Sequence, residues 1–118
     1  MLRRLSYTTF GYSSLSVDAA SLRVGFSLAN MGAVEAAEVW QLYLTFPPSA
    51  AEPPKVLRRF GKVVVKPGAS MSVIATLAKA DLSIWDEGTH GWRVVGGQFG
   101  IHIGSSSRDI RLSGRLAL

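Results

Sequence analysis

The residues whose types could carry chemistry are few: His90 and His102, Trp40, Trp85 and Trp92, the doublet Asp86-Glu87 and the run Ser105-Ser106-Ser107. A zinc site needs His, Cys or carboxylate ligands at short, regular spacing. The two histidines are far apart, no HExxH pattern occurs and the chain has no cysteine. Disulfides, thiolate ligands and cysteine nucleophiles are therefore excluded, and the histidines read as exposed or structural. The serine run follows Gly104 but lacks the G-x-S-x-G elbow that presents a nucleophile, and it reads as a turn. Gly96-Gly97 and Gly100 are followed by no helix whose N-terminal amides could cradle a phosphate. Glycoside hydrolysis needs two carboxylates facing each other across a sugar, roughly 5 to 9 Å apart. Sequence neighbours in a strand or turn point apart, so Asp86-Glu87 cannot clasp a substrate in this way, and Asp86 reads as a turn residue. No catalytic, cofactor-binding or metal-ligating residue is read in this chain, and no cofactor is expected.

The elements that must position these residues are strands. Leu22, Val24, Phe26 and Leu28 alternate with smaller or polar residues, as a half-buried strand requires. Trp40, Leu42, Leu44 and Phe46 repeat the pattern until Pro47-Pro48 stops it. Val56 to Val65 reads as a bent or broken strand ending in the turn Lys66-Pro67-Gly68-Ala69. Met71, Val73, Ala75 and Leu77 form the next inward face. Ala78 to Ile84 has helical character, but for no more than a turn or two. Phe99, Ile101 and Ile103 share one face, with His102 outward. Ile110, Leu112, Gly114, Leu116 and Leu118 form the last inward face. About seven short strands separated by turn signals argue for an all-β antiparallel sandwich. Its expected core is Phe26, Trp40, Leu42, Leu44, Val73, Leu77, Phe99, Ile101, Ile103 and Leu112. Trp85 and Trp92 flank a loop. They stay open between the edge of the core and a surface that packs on a partner or stacks on a sugar.

A length of 118 residues suits one domain, and 47% apolar against 18% charged residues is a globular composition. Stretches without charge stop short of the 18 to 20 apolar residues, roughly, that a membrane helix needs, so no membrane is expected as a partner. No apolar signal region follows the basic start, and the single Asn30 is followed by Met31-Gly32, which is no glycosylation acceptor. Thirteen Lys and Arg against eight Asp and Glu give a net charge of +5. The densest basic patch, Lys55, Arg58, Arg59, Lys62 and Lys66, contains Phe60 as its one aromatic residue. Stacking platforms for nucleic acid are lacking, and a solvated face or a partner surface is the better reading.

Six segments carry a resemblance to a known family. Leu5-Ser6-Tyr7-Thr8-Thr9-Phe10 looks like its entry into the domain, and Ala37 to Leu44 resembles its strand "AEVVQLYV". Pro54 to Phe60 resembles "P-x-K-x-L-R-G-F", and Val65-Lys66-Pro67-Gly68 resembles "L-K-P-G". Asp81 to Asp86 resembles "D-L-S-x-W-D", and Ile103 to Leu112 resembles "V-G-S-S-S-R-D-I/L-R-L". In this order they resemble the C-terminal fibronectin type III-like domain of family 3 glycoside hydrolases, of the β-glucosidase type. Arg59 departs from the family's usual Gly, and Gly96-Gly97 from its Pro-Gly.

The resemblance implies an immunoglobulin or fibronectin type III-like sandwich over residues 5–118, with 1–4 a remnant of a preceding segment. It implies a non-catalytic accessory domain, not an enzyme by itself, bracing the catalytic domains of a β-glucosidase in cis. Such a parent hydrolyses terminal non-reducing β-D-glucosyl residues and, following the family, is extracellular. Tyr7, Phe10, Trp85 and Trp92 are the candidates for interdomain packing. A carbohydrate-binding module with a polysaccharide partner, or a protein-interaction sandwich, stays open as the alternative.

Overall fold

The computed structural model describes residues 9–47, 55–86, 88 and 90–118. Among them are nine strands: β1 (Phe10–Asp18), β2 (Arg23–Asn30), β3 (Ala36–Thr45), β4 (Val56–Val65), β5 (Ser70–Thr76), β6 (Ser83–Asp86), β7 (Gly91–Val94), β8 (Gln98–Ser106) and β9 (Asp109–Ala117). The brief helical stretch expected within Ala78 to Ile84 is a single 3-10 turn, Lys79–Leu82, and Ser83 and Ile84 belong to β6. Two antiparallel sheets of strand order β1-β2-β5 and β4-β3-β8-β9 form the layers of the sandwich, and β6-β7 is a separate hairpin.

The period-two pattern decides which side chains lie between the layers. Val24, Phe26 and Leu28 of β2 face Trp40, Leu42 and Leu44 of β3 and Phe99, Ile101 and Ile103 of β8, with Val73, Ala75 and Leu77 closing the side. Phe26 meets Trp40 edge-on at 5.5 Å, and Phe46 meets Phe99 at 5.1 Å. Gly61 of β4 lies opposite Trp40. A Cβ there would stand 2.8 Å from the indole, so the absence of a side chain lets the ring lie against the strand.

Several expectations are corrected. The strand count is nine rather than about seven: β1 and the short β6 and β7 were not expected. Ser14 in β1 has φ 58° and the β1–β2 register shifts between Ser13 and Ser16, so no clean alternation marks the strand. Met71 shares the parity of Val73 but is 45% exposed, because it lies at the start of an edge strand. Leu112, on the edge strand β9, is half-buried and packs against the core rather than within it, and Leu118 beyond β9 is exposed. Of the two readings of Val56 to Val65, bent or broken, the bent one holds: it is one strand carrying a register shift opposite Leu42 and Tyr43.

Asn30 is buried and ties two loops together. Its Nδ2 donates to the Val34 carbonyl at 2.9 Å and the Val65 carbonyl at 2.8 Å, and its Oδ1 accepts from the Gly32 amide at 2.8 Å. The Gly68 amide donates to its carbonyl, linking it to the Pro67-Gly68 turn.

Candidate docking surface

Asp81 to Trp85 builds outward from an anchored base. The Asp81 carboxylate accepts from both Arg59 guanidinium Nη atoms, at 3.0 and 2.6 Å, and from the Ala78 amide at 2.7 Å. Arg59 Nε donates to the Thr76 carbonyl, and Arg58 Nε donates to the Asp81 carbonyl. This clasp joins β4 of one sheet to the end of β5 in the other. Arg59, where the family usually has Gly, is thus a strap across the open flank. Leu82 is fully buried, and Ser83 Oγ donates to the Lys79 carbonyl at 2.7 Å. The Val95 amide donates to the Leu82 carbonyl at 3.0 Å, fixing the far side of the hairpin base.

From this base the hairpin turns its aromatic residues outward. Trp85 pairs across the strands with Trp92. The rings meet edge-on, with centroids 5.7 Å apart and planes at 80°. Trp85 is 47% exposed and Trp92 72% exposed. Val94 and Leu118 are exposed too, and they border an apolar cleft of roughly 250 Å³ that reaches Leu22 and Leu82. A tryptophan left this open is an anchor available to a partner, since buried aromatics dominate interface energetics.

The other expected packing residues are placed differently. Phe10 is buried by this chain itself, 6% exposed, which leaves its ring little face for another domain. Tyr7 lies outside the described residues, as does Glu87 of the acidic doublet.

The remaining chemical candidates are engaged in the fold. His102 sits outward on β8, within 2.8 Å of Thr45 Oγ1 through Nε2 and 3.1 Å of Ser113 Oγ through Nδ1. Its pKa is lowered, first by burial and then by the Lys55 charge. His90 is at the exposed tip of the β6–β7 hairpin with φ 52°. The serine run is not all turn: Ser105 and Ser106 end β8, and Ser107 begins the two-residue turn to β9. Ser105 Oγ donates to the Asp109 carboxylate, and Arg111 Nε donates to the same carboxylate at 2.8 Å. Arg111 Nη1 reaches the Phe10 carbonyl at 3.0 Å, and its guanidinium lies over the Tyr12 ring. A Cβ on Gly104 would meet the Asp109 carbonyl at 1.9 Å, so this turn closes only around glycine. Among the described residues no three His, Asp or Glu side chains converge on a metal position.

Sequence reasoning did not single out the exposed apolar residues of β3 and β4. The outward parity of Phe60 and Val64 was the available signal.

Comparison with known proteins places this architecture. A family profile described as "Fibronectin type III-like domain" matches residues 38–107. "Probable beta-glucosidase N" of Emericella nidulans is 36% identical over 96% of this chain and 21% of its own length. "Beta-glucosidase cel3A" of Pyricularia oryzae is 42% identical over 92% of this chain and 16% of its own. A solved β-glucosidase from Chaetomella raphigera superposes with a TM-score of 0.89 at 40% identity, covering 96% of this chain and 19% of that one. The β-D-glucoside glucohydrolase of Trichoderma reesei gives 0.86 at 41% identity, covering 96% and 19%. The chain spans about a fifth of the length of the curated relatives it matches.

Proposed function

The chain belongs to the fibronectin type III-like domain family, in the form carried by family 3 β-glucosidases, and from that premise we propose a non-catalytic bracing role for it. It packs on the catalytic domains of a β-glucosidase that releases terminal non-reducing β-D-glucosyl residues, and the β6–β7 hairpin is its contact. The domain extends over residues 5–118, with 1–4 leading in from the preceding segment. The observation that carries this reading is the Trp85–Trp92 pair: two large aromatics held open on a base fixed by Leu82, Ser83 and Val95. An apolar pair on a rigid base suits a stable contact, because little ordering entropy is lost on docking. A sugar platform is favoured less, since rings crossing at 80° share no plane for a pyranose to lie on.

The test is a full-length enzyme in which this chain replaces the matching segment of the Trichoderma reesei protein. With Trp85 and Trp92 intact, calorimetry should show the β-sandwich and the catalytic domains melting together. Trp85→Ser with Trp92→Ser should separate the two transitions. Melting unaffected by the double change contradicts the role given to the hairpin.

A further inference from the structure

Resting on that reading and adding a second face to it, we infer that the outer face of β3 and β4 also docks the catalytic part of the same longer protein. The surface it meets is apolar at its centre and bears a carboxylate opposite Lys62. Phe60, Val64, Val39 and Leu57 are 70%, 56%, 45% and 42% exposed. Register makes them one patch, for Gln41 lies opposite Phe60, Val39 opposite Lys62, Ala37 opposite Val64 and Tyr43 opposite Leu57. The inward position between Phe60 and Lys62 is Gly61, pressed against the Trp40 indole. The core packing therefore fixes the outward direction of Phe60.

An apolar row on an edge strand is a liability unless something covers it. Charge indicates what does. Lys62 stands in the middle of the patch. Glu38 points the other way and accepts from the Tyr12 hydroxyl at 2.8 Å. Asp81 and Asp109 are held by Arg59 and Arg111, Asp18 accepts from Ser21, and Glu35 lies in the loop before β3. Among the described side chains no carboxylate lies on this face. A partner that buries Lys62 without a counter-charge would incur a large desolvation cost. A second copy of this chain fits poorly, because a two-fold contact would set Lys62 toward its own equivalent. The relatives supply the other candidate, since most of each lies outside the matched segment.

The full-length chimera tests this with three variants: Phe60→Ser, Lys62→Glu, and Ile74→Ser as a control on the outer face of the other sheet, where Ile74 is 65% exposed. Phe60→Ser and Lys62→Glu should each split the common melting transition, and Ile74→Ser should leave it single. The same substitutions in the 118-residue chain should leave its own melting unchanged, which separates lost docking from lost folding. If Trp85→Ser with Trp92→Ser splits the transition and the Phe60 and Lys62 variants do not, the second face is wrong and the hairpin contact stands. If none of them splits it, the bracing role fails with it. Sedimentation showing a dimer of the 118-residue chain that Phe60→Ser dissolves would overturn the choice of partner.

Discussion

Asp81 and Asp109 both lie in segments that look like motifs, and both carboxylates hold strands together. Asp81 accepts three bonds, two of them from Arg59, with its side chain mostly enclosed. Removing it takes the carboxylate from the Arg59 guanidinium, which keeps only the Thr76 and Arg58 carbonyls, and the acceptor from the Ala78 amide. Asp81→Ala should therefore cost about 2 kcal/mol, read from chemical denaturation. Asp109 works by charge. The Arg111 hydrogen bond first, and the Ser105 hydroxyl second, hold its pKa below the ordinary carboxylate value. A depressed folded pKa contributes stability that is present above the unfolded value and lost as pH falls through the folded one. Stability should thus decline as pH falls below the ordinary carboxylate range toward the lowered folded pKa, and Asp109→Asn should flatten part of that decline. An unchanged acid limb in the variant would show that the turn gains nothing from the charge. The partner of Asp81 was not legible in sequence. The rest of β4 and all of β5 lie between Arg59 and Asp81, and no local spacing announces the pair.

At the scale of elements, alternation was the readable signal wherever a strand had one buried face. Trp40, Leu42 and Leu44 on β3 and Phe99, Ile101 and Ile103 on β8 declared themselves because every second position had to be apolar. Trp40→Ala should cost about 3 to 5 kcal/mol, since the indole fills the space between Phe26 and the Gly61 backbone. A loss below roughly 0.5 kcal/mol in denaturant titration would refute the strand parity. The hidden elements had other constraints. In β1 a left-handed Ser14 breaks the rhythm, and in β6 and β7 four residues are too few to establish one. Edge position explains Met71 and Leu112, because parity assigns a face while depth depends on the strand beyond.

For the whole molecule, size and charge acquire meaning from the larger proteins this chain resembles. A net charge of +5 looked like a solvated face or a partner surface. The structure distributes part of it into clasps, Arg59 on Asp81 and Arg111 on Asp109, and leaves Lys62 amid exposed apolar residues. The order of motif-like segments carried the family resemblance, but the choice of docking face required three dimensions, because outward residues of β3 and β4 adjoin only through strand pairing. Hydrogen exchange of the Ser83–Val94 hairpin tests the bracing role most directly, by comparing the 118-residue chain with the full-length chimera. Docking through Trp85 and Trp92 should slow exchange of the hairpin amides in the chimera. Equal deuterium uptake in both, with the β-sandwich folded in each, would contradict it.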